Sequence, residues 1–302
     1  MGLGIKMVFE GFEKVKIIRI CRRIMLTLIC LFIKFFVAIA IIVGIKPRKK
    51  TCVENLIVSF TSYGVRLKNC TWLAVYSMFM QSTQPEFVVL YLEPSLENIK
   101  LPFFIRKLQK MDLKIEYTSD IRSYKKLIPA LHQYPDKTII TIDDDIYYSK
   151  NLVKNLVETS LQNKSAICAT VVHGITFTKE AQIDSYNNWN KKPHEGDILF
   201  AVGYGGILYP PSVFNLDYMK EADFTKISPN ADDIWFFAAR YKDSVPLVQA
   251  NNYKITYYPV NYVYERFHKN EGLTEENVFG GQNDIQMQAT MKHFDIELGE
   301  GK

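Results

Sequence analysis

Lys137-Thr138-Ile139-Ile140-Thr141-Ile142-Asp143-Asp144-Asp145-Ile146-Tyr147-Tyr148 is the stretch on which the reading of this chain turns. An apolar, β-branched run ends abruptly in three consecutive carboxylates. β-branched side chains favour a pleated, buried strand, so residues 138–142 are expected to run through a sheet interior. Adjacent acids at a strand end repel one another unless a cation lies among them. Alternation along an extended backbone sends Asp143 and Asp145 to one side and Asp144 to the other. The first and third acids then have the chemistry to share a hard divalent ion. In open α/β sheets, ligands bind at the carboxyl ends of strands, where these residues fall. The competing reading is an acidic strand-to-helix turn in which Asp145 or Ser149 caps the next helix.

Either side of this stretch, strand-like and helix-like segments alternate. Strands are expected over 56–60, 87–92, 113–117 and 138–142, and helices over 71–81, 102–111, 123–134 and 149–162. Such alternation predicts β-α-β units, a largely parallel sheet and right-handed crossovers. The second half is less regular. It holds strand-like runs at 166–172, 206–209 and 253–263, a helix-like run at 232–241, and a loop rich in Asn, Lys and Trp.

The chain has 302 residues, enough for one sizeable core. Lys and Arg exceed Asp and Glu by five, and the excess gathers near the N-terminus, which gives a nucleic-acid partner no support. The five cysteines show no C-x-x-C spacing, which argues against a zinc site or disulfide framework and fits a reducing compartment. Ile24 to Gly44 is apolar except for Lys34. As a helix it would be about 31 Å long, enough for a bilayer core. Its many Leu, Ile, Phe and Val residues outweigh about 3 kcal/mol for one central Lys, so insertion is favoured. The options are a spanning helix, one lying within a single leaflet, or a buried helix of the soluble domain. Basic residues flank both ends, so charge does not set an orientation. The expected organisation is a basic N-terminus and membrane anchor over 1–50, followed by one α/β domain over 51–302.

The order of segments resembles the GT-A glycosyltransferase fold, and further motifs extend the likeness. Ser59-Phe60-Thr61-Ser62-Tyr63-Gly64-Val65-Arg66, Arg122-Ser123-Tyr124-Lys125-Lys126-Leu127-Ile128-Pro129-Ala130, Gly205-Gly206-Ile207-Leu208-Tyr209-Pro210-Pro211 and Ala231-Asp232-Asp233-Ile234-Trp235 look like those of bacterial glycosyltransferases related to family 2, found among cell-surface polysaccharide enzymes. The resemblance covers about residues 54–290. It implies a Rossmann-like, mostly parallel sheet flanked by helices, and a DxD motif at Asp143–Asp145. It also implies a magnesium or manganese ion held by Asp145, with Asp143 on the nucleotide or the metal and Asp144 near the donor sugar. Thr61, Ser62 and Tyr63 stand where the family's nucleotide base rests, with Arg66 towards phosphate; an ordinary turn around Gly64 is the plain alternative. Asp120, Arg122, Lys125 and Lys126 precede the DxD strand, and a basic residue here can neutralise phosphate, although some of the four must be solvated helix charges. Gly203, Gly205 and Gly206 would admit close backbone approach to the donor sugar or acceptor; tight packing is the alternative.

The resemblance also implies an inverting transferase. Such an enzyme needs a base for the acceptor hydroxyl, and Asp233 takes that place, with Asp232 as helper; helix capping is the alternative for both. His268 is a candidate third metal ligand, His173 is a weaker candidate for the site, and Trp189 and Trp235 could stack on an acceptor sugar, although burial is the commoner fate of a large aromatic. The expected partners are a nucleotide-sugar donor, a glycan or lipid-linked glycan acceptor, and the cytoplasmic face of a bacterial inner membrane. The competitors are a nucleotidyltransferase and a non-catalytic, membrane-anchored glycan- or calcium-binding protein. The former generally opens with a Gly-rich phosphate loop, whereas residues 59–66 hold one glycine.

Overall fold

A computed structural model describes residues 2–46, 52–250, 258–260, 277 and 280–299. Its centre is a seven-stranded sheet. Strand β1 (Cys52–Thr61) pairs in parallel with β2 (Gln84–Leu92) on one side and β4 (Thr138–Thr141) on the other, and β3 (Leu113–Tyr117) lies outside β2. Beyond β4 come β9 (Ile207–Tyr209), β6 (Ile167–Ala169) and β10 (Leu247–Gln249), giving the order β10-β6-β9-β4-β1-β2-β3. The sheet is mostly parallel, as the alternating sequence predicts. β9 is the departure: it runs antiparallel to both β4 and β6. Two small antiparallel pairs stand apart, β5 (Ile146–Tyr147) with β11 (Tyr258–Pro259) and β7 (Val172–Gly174) with β8 (Leu199–Ala201).

Helices cover both faces, so the central strands are buried on both sides and read as continuous apolar runs. Alternation along β1 sends Ile57 into one core and Leu56, Val58 and Phe60 into the other. The first core packs α5 (Ile128–Gln133), α7 (Glu221–Ile227), α8 (Asp232–Lys242) and α9 (Gln282–His293). The second packs α3 (Thr71–Phe79), α4 (Phe103–Gln109) and α6 (Leu152–Gln162), and also part of α1 (Gly2–Val43). A six-residue helix, α2 (Gly64–Asn69), leads from β1 into α3. The segment expected as one helix over 123–134 divides into a 3-10 turn, Arg122–Lys126, and α5, because Pro129 fits only the first turn of an α-helix. Helix α1 contains the apolar segment Arg23–Val43, with a mean hydropathy of 2.9 and length enough to cross a membrane. Of the strand expected over 253–263, only residues 258–260 are described.

Candidate active site

Strand β4 ends at Thr141, so the three acids lie in the turn before β5 rather than on extended backbone. The alternation argument therefore fails here. Asp144 points inward at 4% exposure, accepting from Ser62 Oγ and from Arg66 Nη1 at 3.1 Å. Asp145 turns to the same guanidinium nitrogen, 3.1 Å from its Oδ2. Asp144 and Asp145 are thus the pair that shares a cation, and Asp143 stands apart. Burial pushes the Asp144 carboxyl above its usual range, against the pull of Arg66 and Ser62. Burial also disfavours charge on Arg66, but Asp145 and Asp144 overcome it and hold the guanidinium firmly protonated. The Asp143 N–H donates to Tyr148 Oη at 2.9 Å, and that hydroxyl donates to the Tyr204 carbonyl at 2.9 Å.

Lys126 is the second centre. It closes the 3-10 turn after β3, and its carbonyl accepts from Ser59 Oγ on β1 at 2.6 Å. Its ammonium lies 2.9 Å from Asp232 Oδ2, 3.5 Å from Asp143 Oδ1 and 3.8 Å from Asp233 Oδ1. Burial opposes the charge, yet the three carboxylates raise the Lys126 pKa well above its ordinary value. Asp232 and Asp233 begin α8, where acids complement the helix dipole. The capping alternative is not what the structure shows: the N-cap is Ala231, and no side chain caps the helix. Burial, offset in part by Lys126 and reinforced by Asp232, pushes the Asp233 carboxyl up to about 7. The Gly203 N–H donates to its Oδ2 at 2.8 Å, and 24% of its side chain remains accessible.

Both centres open into a cleft of about 930 Å³. Thr61, Tyr63, Arg66, Asp120, Arg122, Lys125, Lys126, Asp143, Asp144, Asp232 and Asp233 line it. Tyr63 lies under the Arg66 guanidinium, 5.5 Å from ring centroid to Cζ. Lys125 Nζ is 2.5 Å from Asp120 Oδ1, and this contact lowers the Asp120 pKa. Arg122 adopts φ 55, a left-handed conformation costly for a residue with a Cβ, while its N–H is held by Asp120 and its guanidinium by Asn230. Ser62 lies behind the cleft as a support for Asp144. Three expectations need correction. Asp145 does not line the cleft. Gly205 and Gly206 do not line it either: a Cβ on Gly205 would meet Thr170 and Val171 at 2.5 Å, and Gly206, at φ 92, faces Leu152. Of the three glycines only Gly203 makes the close approach: a Cβ there would lie 2.7 Å from Asp233 Oδ1 and 2.8 Å from Lys126 Nζ. Trp189 and Trp235 are core residues at 3% and 0% exposure, not a stacking surface.

The far wall was legible in the sequence only at His173. It is made by His173, Tyr186, Phe200 and Val202, with the amides Asn230, Asn277 and Asn283 along it. Burial, helped by Lys191, lowers the His173 pKa and keeps the ring neutral. Tyr186, Phe200, Val202 and the three amides carried no sequence signal that marked them.

His268 lies outside the described residues. Among the described residues, no three metal-ligating side chains converge on one point. Asp143, with 32% of its side chain accessible, lines the cleft and supplies one of the one or two carboxylates that magnesium needs when substrate phosphates complete its shell. Asp145, held by Arg66, would have to turn to add a second. The donor set therefore fits an ion that enters with a diphosphate.

No family model and no curated protein matches the chain. Among solved structures, the chain is similar to HddC from Yersinia pseudotuberculosis at 14% identity, covering 52% of this chain and 76% of that one with a TM-score of 0.32. A CMP:2-keto-3-deoxy-manno-octonic acid synthetase in complex with CTP matches at 10% identity, 66% and 90% coverage and a TM-score of 0.40. A putative glucose-1-phosphate thymidylyltransferase from Bacillus anthracis matches at 13% identity, 83% and 97% coverage and a TM-score of 0.40. Likenesses this distant decide nothing about what this chain does.

Proposed function

We propose that the chain is a glycosyltransferase that moves a sugar from a nucleotide-sugar donor to a glycan acceptor, with inversion, and that Asp233 is its base. One observation carries this reading: a single cleft holds both fixed cations suited to a diphosphate and a reachable carboxylate whose pKa lies near neutrality. Thr61 and Tyr63 would seat the base, and Arg66, Lys126 and the Arg122–Lys125 turn would face the diphosphate. Charge that builds on the leaving diphosphate is stabilised by donors already in place, at no reorganisation cost. Magnesium or manganese held by Asp143 would add further neutralisation of that charge. Asp233 then takes the proton from the acceptor hydroxyl as its oxygen attacks the anomeric carbon. Its raised pKa suits a group that must accept a proton near neutral pH. The Gly203 N–H fixes the carboxylate's orientation, and Asp232, 2.9 Å from the Lys126 ammonium, holds that cation in place.

The test is a screen of UDP-, GDP-, CMP- and dTDP-sugars against the full chain in detergent, with manganese, with chelator, and with Asp143→Ala. Binding and slow hydrolysis of one donor class, weakened in the variant, is the expected result. Formation of a nucleotide sugar from a nucleoside triphosphate and a sugar phosphate would replace this reading with nucleotidyl transfer. A folded protein that binds no nucleotide would leave only a non-catalytic role.

A further inference from the structure

Helix α1 has two apolar faces, and they differ in what covers them. Cys30, Val37 and Ile41 are buried at 1%, 6% and 1% exposure, packed in the same core as α3 and α4. Cys30 Sγ meets the Val260 carbonyl at 3.2 Å, and Tyr76 of α3 donates its hydroxyl to the Ile45 carbonyl at 3.2 Å. Leu28, Leu31, Phe32, Phe35, Ile39 and Ile42 are 43–63% exposed. At 3.6 residues per turn the two sets fall on opposite sides of the helix. Lys34, the one charge in the apolar run, is half-buried and close enough to Cys70 of the domain to act on it electrostatically.

This arrangement does not suit a helix crossing a bilayer. Cys30 and Val37 lie mid-way along the apolar segment Arg23–Val43, and a spanning geometry would carry the soluble elements docked on them into hydrocarbon. Loops and sheet edges exposed to lipid at that depth leave backbone groups unpaired. A helix lying in the interface meets neither problem, because it buries one face in the acyl boundary and keeps the other on protein. The basic residues complete the case. Lys16, Arg22 and Arg23 precede the run, and Arg48, Lys49 and Lys50 follow it. A spanning helix gathers such residues on one side, whereas an in-plane helix presents both ends to the same anionic headgroups.

We infer that α1 lies in the plane of one leaflet of an anionic phospholipid membrane, its outer face covered by acyl chains, with its N-terminus and the domain on the same side. The contact reaches the site. The Val260 N–H donates to the Asp145 carbonyl at 2.8 Å, so one residue links the membrane helix to the acidic turn. The inference does not depend on which reaction the cleft performs.

Two measurements on the full chain test it. With a protease-sensitive tag at each terminus, both tags should be reached from the same side of sealed inside-out bacterial vesicles; tags on opposite sides overturn the proposal. Purified protein should float with phosphatidylglycerol–phosphatidylethanolamine vesicles, and Phe32→Ser/Phe35→Ser/Ile39→Ser should weaken that partition at least about tenfold with the thermal midpoint unchanged. Unaltered flotation of that variant, or a wild-type chain that pairs with itself and ignores vesicles, also overturns it.

Discussion

Asp233 is a carboxyl held by its surroundings near pKa 7, and both its chemistry and its stability follow from that. As a base it works when ionised, so kcat/KM should rise with pH through about 7. Asp233→Asn should remove that limb and lower kcat/KM by about a hundred- to ten-thousand-fold, measured with the identified donor and acceptor. The stability effect has the opposite sign. Because folding raises this pKa, the fold binds the proton more tightly, and the stability this lends is lost as pH rises from about 4 through 7. The asparagine variant should therefore be more stable than wild type at pH 8, by about 1–3 kcal/mol after allowing for partial exposure, and gain little near pH 4. Denaturant titrations at the two pH values check this. Lys126 sits at the same scale. Lys126→Met leaves three carboxylates around a neutral side chain, and a loss of about 3–5 kcal/mol is expected. An unchanged midpoint would mean that the cluster protonates instead. Composition could name these residues as candidates, but it could not pair them, since residues 126, 143 and 232–233 meet only in the folded chain.

At the scale of elements, the turn at Gly203 brings the backbone under the acidic end of α8. Gly203→Ala would press a methyl against Asp233 and Lys126, so kcat should fall about ten- to a hundred-fold with donor affinity changed less. Single-turnover kinetics and a nucleotide titration separate the two effects. Sequence reasoning named Gly203 together with Gly205 and Gly206 and could not choose among them, because a glycine that makes room for a distant carboxylate looks like any other loop glycine. Gly205 and Gly206 serve packing instead. The β4 turn teaches the same lesson. Alternation assigned partners to the three acids correctly only for a strand, and the strand stops at Thr141.

At the scale of the whole molecule, α1 is part of the second core rather than a tether. Removing residues 1–50 would uncover α3 and α4 and discard the contacts of Val37 and Ile41. The truncated chain should melt about 5 °C or more below the full chain in the same detergent, by calorimetry. An equal midpoint would mean that the helix contributes nothing to the core.

Local chemistry in the sequence determined what needs only neighbours along the chain: β-branched runs that make strands, periodic apolar positions that make the crossover helices, acids that end β4 and begin α8, and an apolar run long enough for a membrane. The tertiary structure alone decided what depends on contacts between distant segments. It placed β9 antiparallel between β4 and β6, buried Lys126 among acids from the β4 turn and the start of α8, and turned one face of α1 to the domain and the other outward. The physical reason is common to all three. Propensity and periodicity are properties of a few consecutive residues, whereas pairing, burial of charge and the covering of a helix face are set by which segments the fold brings together.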